Sequence, residues 1–263
     1  MRYEEERLQL VDIVGELFSW KILNGAGGNV SMRLPDGNIL MSDTRLAFGG
    51  WKVTPLDFIV MAPDGAIVEQ TSELGAAGTP MHLDLYQLLP DAGAVVHAHS
   101  PYVLAFASLG LPVPSVINRS DLFGEIPCLH ADDLTVKADF QKNPVPLDLP
   151  EGMVQRPEVA AVHMLEYRRQ LDELIAPRAG ELKDHGLAFT MYRHGTVVVG
   201  RRPSEMTDYM LRLEESARTA LFQAQLNGGV VYPNRLYRPE RLTDIGATTT
   251  PSPAAPVTSP TGA

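Results

Sequence analysis

An apolar segment that ends in two alternate histidines constrains this chain more than any other feature of its sequence. Residues 92–96 are apolar, and His97, Ala98 and His99 follow directly. Side chains two residues apart in a strand point to the same face, so a buried strand here brings both imidazoles out side by side. Imidazole is the commonest metal ligand among side chains. The pattern leaves two interpretations open, a metal site or two histidines held by hydrogen bonds, and an isolated His-x-His favours the second.

Length, charge and cysteine content restrict the class of protein. The 263 residues are enough to bury a sizeable core, and the formal net charge of −10 argues against a nucleic-acid or anionic-membrane partner. A single cysteine, Cys128, excludes an intrachain disulfide and fits a reducing compartment. No apolar run approaches the roughly 18 residues that span a bilayer, and the first residues lack a signal-peptide pattern. We therefore expect a cytoplasmic protein with no membrane partner.

Short strands are scattered among helices along the chain. Apolar spacing predicts an amphipathic helix within residues 3–23, stopped by the glycine-rich residues 24–28. A second long amphipathic helix is predicted from residue 204 to about 225. Tight turns join the early strands, which favours a largely antiparallel sheet with helices on its faces. We place one domain at residues 1–242 and, because residues 243–263 are rich in Thr, Pro and Ala without periodicity, a disordered tail after it.

Four blocks of the sequence, in this order, resemble the class II aldolase/adducin family. They are Gly28–Arg33, Met81–Tyr86, Pro90–Tyr102 and Arg193–Gly200. The third block is the most specific, and the resemblance extends over about residues 5–225. It implies an α/β fold, a three-layer α/β/α arrangement with a central mainly antiparallel sheet. It also implies a homotetramer with active sites at subunit interfaces.

By the same resemblance, His97, His99 and His194 are three metal ligands. Three imidazoles with one open position are typical of a catalytic metal site rather than of a closed structural one. The resemblance implies a divalent metal ion, with zinc first and Fe(II) or manganese as the other candidates. In the aldolases of the family the ion acts as a Lewis acid that holds substrate oxygens and stabilises the charge left when a C–C bond breaks.

The catalytic acid of the family has two possible positions in this chain. The family places it four residues before the histidine that corresponds to His82, and in ungapped alignment that position is Gly78, which cannot transfer a proton. If residues 74–78 are an insertion, Thr71-Ser72-Glu73 takes the place of the family's acidic motif. We take Glu73 as the candidate catalytic residue. The alternative is that Glu73 is an exposed loop carboxylate.

The substrate-binding motifs of the family are only partly retained. Asn29 and Ser31 remain from the first loop, whereas the second turn reads Ser42-Asp43-Thr44-Arg45 and lacks glycine. Backbone N–H groups approach phosphate best through glycine or helix N-termini, so we expect a small-molecule substrate without a phosphate. Arg45 or Arg119 is a candidate for binding its carboxylate in bidentate fashion. The segment 128–185 is longer than usual in the family, and we expect it to form a lid or an oligomer contact.

These features lead to one preferred function and two alternatives. We expect a metal-dependent lyase that cleaves a C–C bond, by retro-aldol or decarboxylation chemistry, in a small non-phosphorylated hydroxy or oxo acid, with Glu73 or a water moving the proton. The first alternative resembles the non-haem Fe(II) oxygenases of aminocoumarin pathways, which cleave the side chain of an aryl 2-oxo acid and need neither the acid nor a phosphate site. The second is a non-catalytic, adducin-like module, against which the retention of all three histidines argues.

Overall fold

The computed structural model describes residues 1–42, 46, 50–70, 79–124, 126–130, 167–226 and 228–229. The helices in this part of the chain are α1 (Glu4–Ser19), α2 (Thr79–Leu88), α3 (Pro101–Ser108), α4 (167–174) and α5 (Met206–Leu226). The strands are β1 (Gly28–Arg33), β2 (Ile39–Ser42), β3 (Phe58–Met61), β4 (Ile67–Glu69), β5 (Ala94–Ala98), β6 (Cys128–Leu129), β7 (Leu187–Met191) and β8 (Gly195–Gly200). Among the described helices, none is both long and apolar enough to cross a membrane.

The described strands form one eight-stranded sheet in the order β4-β3-β2-β1-β5-β8-β7-β6. Each neighbouring pair is antiparallel except β6 and β7, which run parallel. The central strand β5 lies between β1 and β8, and Ala98 at its end pairs with Gly28 on one side and Thr196 on the other. The sheet therefore brings the start of β1, the end of β5 and the start of β8 together at one end of its central strands, although they are distant in sequence.

Helices cover both faces of the sheet. On one face α1, α3 and α5 pack against alternate strand residues, among them Val96 and Ala98 of β5. On the other face α2 and α4 pack against the intervening residues, among them Val95. Because β5 is paired at both edges and covered on both faces, all of its side chains are buried, which explains its continuous apolar sequence. The predicted three-layer α/β/α fold with a mainly antiparallel sheet is confirmed.

The first helix ends before the predicted boundary at residue 23. Its apolar stripe continues as expected, but Lys21 adopts a left-handed conformation with φ 62°. The N–H groups of Lys21 and Ile22 donate to the carbonyls of Phe18 (2.9 Å) and Leu17 (3.0 Å). This is the Schellman pattern that terminates helices. The chain thus reverses at Lys21, and Ile22 and Leu23 enter the core as part of a turn rather than of the helix.

Several predictions from the sequence lie outside the described residues. They are the candidate acid Glu73, the candidate carboxylate ligand Arg45, the middle of the long segment 128–185 and the tail at 243–263. The described portions adjoining the long segment are β6 at its start and α4 near its end.

Candidate metal centre

The three predicted histidines meet at the end of the sheet where β1 starts, β5 ends and β8 starts. His97 lies on β5, His99 follows that strand, and His194 occupies the turn between β7 and β8. Their ring centroids are 4.9, 5.0 and 5.1 Å apart, and the three potential ligand atoms lie within 4.8 Å of one another. The structure therefore assembles a compact three-imidazole cluster from two distant parts of the chain.

Hydrogen bonds to the backbone determine which ring nitrogen of His97 and of His99 faces the centre. Nδ1 of His97 lies 2.9 Å from the carbonyl oxygen of Thr196, and Nδ1 of His99 lies 2.8 Å from that of Ala26. A carbonyl only accepts, so each Nδ1 carries the proton and each Nε2 carries a free lone pair. The two Nε2 atoms face each other at 3.1 Å. Two lone pairs at that distance repel unless a cation binds both, so the arrangement fits a metal ion whose ligands are oriented by backbone acceptors.

The electrostatics of the cluster favour the ligand form of the imidazoles. Burial, followed by the neighbouring His194 and His99 rings, holds the pKa of His97 well below its usual value. Burial and the His194 ring likewise lower the pKa of His99. Because a metal binds the neutral ring, lower pKa values reduce competition from protons. Both histidines are thus prepared for coordination near neutral pH.

The glycine-rich loop after α1 holds His99 in place. Nδ2 of Asn24 donates to the His99 carbonyl oxygen at 2.9 Å, and the Asn24 carbonyl accepts from Nε1 of Trp51 at 2.8 Å. Gly27 has φ 124°, and a Cβ at this position would lie 3.2 Å from Cε1 of His99. Only glycine combines that backbone conformation with so close an approach to the ring. The glycine-rich loop is therefore the support of a candidate ligand.

His194 is presented by a tight turn that two other elements anchor. Arg193 has a left-handed φ of 57°, and its N–H donates to the Ala107 carbonyl of α3 at 3.0 Å. The Tyr192 N–H donates to the Leu129 carbonyl of β6 at 2.8 Å, and the His130 ring stacks on that of Tyr192 at 5.2 Å. His97 is buried, His99 half-buried and His194 exposed. The exposed side of His194 is where a substrate can reach the centre.

Glycine is required at the residue after His194. A Cβ at Gly195 would lie 2.5 Å from the Ala98 oxygen, 2.7 Å from Cδ2 of His99 and 3.0 Å from Cε1 of His97. We expect Gly195→Ala to displace both rings and to lower zinc affinity about tenfold or more, measured by competition with a chromogenic chelator. Gly15→Ala is the matched control, because nothing lies within 4 Å of a Cβ there. Equal zinc affinity in the two variants would contradict this expectation.

Sequence reasoning did not identify Glu214, which supports the segment after His99. This α5 residue is only 8% exposed and accepts the N–H groups of Tyr102 and Val103, both at 3.0 Å, at the start of α3. Burial raises the pKa of its carboxyl. Its helical neighbours Leu213 and Ala217 are core residues. An acidic residue in the apolar stripe of α5 was the signal that could have indicated a buried carboxylate with a specific partner.

The predicted substrate-binding residues are distributed unequally. Asn29 of β1 pairs directly with His97 across the ladder and is 5% exposed. Ser31, 1% exposed, lies two residues further along the same face, where its hydroxyl meets Nδ1 of His82 at 2.6 Å and the Tyr86 hydroxyl at 2.9 Å. Asn29 thus adjoins the metal centre, whereas the Ser31 hydroxyl is engaged inside the protein. His82 is fully buried.

Arg119 lies away from the three histidines of the same chain. It lines a cavity of about 350 Å³ together with His185, which precedes β7, and Arg202, which follows β8. His185 and Arg202 lie at one end of β7 and β8, and the turn with His194 joins the other ends of these two strands. Because β8 has six residues, that end is about 17 Å from the turn at roughly 3.3 Å per residue. The described chain therefore does not bring Arg119 to its own metal centre.

Comparison with known proteins identifies the family of the chain. The profile of the Class II Aldolase and Adducin N-terminal domain matches residues 8–221. The L-ribulose-5-phosphate 4-epimerase UlaF of Salmonella paratyphi A (strain ATCC 9150 / SARB42) is 27% identical over 226 residues, covering 84% of this chain and 86% of that protein. The 3-oxo-tetronate 4-phosphate decarboxylase of Escherichia coli (strain K12) is 28% identical over 213 residues, covering 81% and 84%.

A solved structure shows the same fold. The crystal structure of YgbL from Escherichia coli superposes with a TM-score of 0.61 at 24% identity, covering 93% of this chain and 99% of that one. At this identity the likeness shows the architecture alone. The profile match, by contrast, spans most of the chain, including the three histidines. The chain belongs to the class II aldolase and adducin family.

Proposed function

We propose that this chain is a metal-dependent lyase that cleaves a C–C bond in a small hydroxy or oxo acid. The observation that carries the proposal is the pair of Nε2 lone pairs of His97 and His99, 3.1 Å apart, with the ring of His194 beside them on the exposed side. A divalent ion held there would supply Lewis-acid stabilisation of negative charge on substrate oxygens. Three imidazoles that leave a position open are typical of a catalytic metal site rather than of a closed structural one.

The chain's own residues would bind the substrate and move the proton. The exposed side of His194 admits the substrate, and the Asn29 carboxamide, beside His97 in the ladder, would donate to one of its oxygens. We assign the proton transfer to Glu73. That assignment rests on the sequence alignment with a five-residue insertion at 74–78, because Glu73 lies outside the described residues.

Whether the substrate carries a phosphate needs a direct comparison. The names of both curated relatives above contain a phosphate ester. Our proposal of a non-phosphorylated acid is based instead on the second turn, which reads Ser42-Asp43-Thr44-Arg45 and lacks glycine. Each candidate substrate should therefore be assayed with and without its phosphate. A preference for the phosphorylated member of each pair would correct this part of the proposal and leave the lyase chemistry unchanged.

Metal content and oxygen consumption together test the proposed reaction. Protein purified without added metal is analysed for zinc, manganese and iron, stripped with a chelator, reloaded, and assayed for release of carbon dioxide or aldehyde from a panel of hydroxy and oxo acids. We expect about one ion per chain and cleavage that the chelator abolishes and the ion restores, without oxygen uptake. Iron with oxygen uptake on an aryl 2-oxo acid would establish the oxygenase instead. Stoichiometric metal without cleavage of any panel member would contradict the lyase.

A second candidate is epimerisation at a hydroxyl-bearing carbon, and the similarity to UlaF favours it. Breaking a C–C bond next to such a carbon and re-forming it on the opposite face inverts the carbon, so the same centre could serve either reaction. The two outcomes separate in one assay. A lyase releases a fragment, whereas an epimerase leaves the substrate mass unchanged and alters its stereochemistry.

A further inference from the structure

His82 is a buried polar residue that is not part of the three-histidine cluster. It lies on α2, on the sheet face that also carries His97, and is 0% exposed. One ring nitrogen, Nδ1, lies 2.6 Å from the Ser31 hydroxyl, and the other, Nε2, is hydrogen-bonded to Oδ1 of Asn29. Both nitrogens are thus engaged by two consecutive inward-facing residues of β1.

The chemistry of the partners determines the direction of each hydrogen bond. Oδ1 of Asn29 can only accept, so Nε2 of His82 must carry a proton and donate it. Burial lowers the pKa of His82 to about 3, so the ring is neutral and Nδ1 is an acceptor. The Ser31 hydroxyl therefore donates to Nδ1, and its oxygen accepts from the Tyr86 hydroxyl at 2.9 Å.

The end of this chain of hydrogen bonds is itself held in place. The Arg33 guanidinium lies 4.9 Å from the centroid of the Tyr86 ring and donates to the Tyr86 and Ala92 carbonyls, both at 3.0 Å. Burial raises the pKa of the Tyr86 hydroxyl, which keeps its proton. With Oδ1 of Asn29 placed against Nε2 of His82, Tyr86 therefore donates to Ser31, Ser31 donates to His82, and His82 donates to Asn29.

With this order, the NH₂ group of Asn29 has no hydrogen-bond partner among the described residues. With Oδ1 bound to His82, the amide cannot rotate by 180° without placing two donors against each other. The NH₂ group is therefore turned away from His82. Asn29 itself is paired with His97 in the neighbouring strand. Two N–H donors beside a candidate metal centre suit a carboxylate, carbonyl or phosphate oxygen of a substrate and disfavour an ammonium group.

We propose that His82 is a positioning residue that orients the Asn29 carboxamide so that its NH₂ group faces the substrate oxygen at the metal centre. The inference rests on the proposed function for what Asn29 binds. The orientation itself depends only on the hydrogen-bond chain. By this proposal, α2 orients the substrate through His82 and also covers the sheet.

The tautomer of His82 tests the orientation without any activity measurement. In long-range ¹H–¹⁵N spectra of the zinc-loaded, ¹⁵N-histidine-labelled protein, with His82→Gln for assignment, we expect His82 to be the Nε2–H tautomer at pH 7. The Nδ1–H tautomer would mean that Asn29 presents its oxygen to the centre, and it would overturn the inference. Because this readout needs no turnover, it is independent of whether the chain proves to be a lyase.

A variant series tests the consequence for binding. Gln at position 82 can place its amide nitrogen near the position of Nε2 and retain the donor to Asn29, whereas Leu retains neither contact. We expect His82→Leu to weaken glycolate binding to the zinc-loaded protein about tenfold or more, measured by calorimetry, with unchanged zinc content. His82→Gln should restore most of the affinity. Tyr167→Phe is the control on the same face, because the buried Tyr167 hydroxyl has no hydrogen-bond partner in the described part of the chain.

Combining each variant with Asn29→Ala separates positioning from general packing. If His82 acts through Asn29, His82→Leu should have no further effect on glycolate affinity once Asn29 is alanine. A tenfold loss in both backgrounds, or equal losses in His82→Leu and His82→Gln, would show a role in packing only and would overturn the proposal. Thermal unfolding of every variant identifies losses that come from misfolding.

Discussion

His97→Ala and His194→Ala are each expected to abolish stoichiometric metal binding and to lower turnover about 10³-fold or more, since the ion's charge stabilisation contributes several kcal/mol. The two residues come from β5 and from the turn before β8, yet their ring centroids are 5.0 Å apart. Removal of either leaves two imidazoles, too few for the expected site. Metal analysis after dialysis, followed by turnover on the best substrate of the panel, measures both effects.

His185→Ala is the matched control for this loss. His185 lies before β7, at the opposite end of that strand from His194, and its Nδ1 donates to the Gly186 carbonyl at 2.8 Å. We expect it to keep the metal content and turnover of the unaltered protein. A variant at position 194 that still binds one ion per chain with full activity would show that the three-histidine centre is not the catalytic one.

Acid is expected to destabilise the folded protein strongly through His82 alone. Burial lowers the pKa of this residue from 6.5 to about 3. Below pH 6.5 the unfolded chain therefore binds a proton that the folded chain does not. The contribution to stability is complete above pH 6.5 and is lost as the pH falls toward 3, at about 1.4 kcal/mol per pH unit. The full loss of about 5 kcal/mol rivals the whole stability of many domains.

Comparison with His82→Gln isolates this contribution. The free energy of unfolding is measured by urea titration at pH 7, 6 and 5, in the presence of a chelator so that metal release does not contribute. His97 and His99 also have lowered pKa values and add a slope of the same sign in both proteins. Between pH 7 and pH 5 the unaltered protein should lose about 2 kcal/mol more than the variant, most of it below pH 6. Parallel dependences would show that burial does not lower the pKa of His82.

Local patterns in the sequence determined much of the fold and the centre of the site. The apolar run at residues 92–96, followed by His97 and His99, indicated a buried strand with both imidazoles on one side, and both lie in the cluster there. Apolar spacing predicted the first and last helices to within a few residues, because amphipathic periodicity is set by neighbours along the chain. The addition of His194 to the pair came from the resemblance of four blocks to a known family.

Only the tertiary structure decided which partners these residues meet. The order β1-β5-β8 places Asn29 beside His97, and the packing of α2 on that face buries His82 against Asn29. The position of Arg119 beside His185 and Arg202, at the far end of β7 and β8 from His194, follows equally from this order and not from any local pattern. Such contacts join residues distant in the chain, and their hydrogen bonds depend on strand order and helix packing. A sequence read by periodicity shows the face that a residue occupies, whereas the fold alone selects what lies opposite to it.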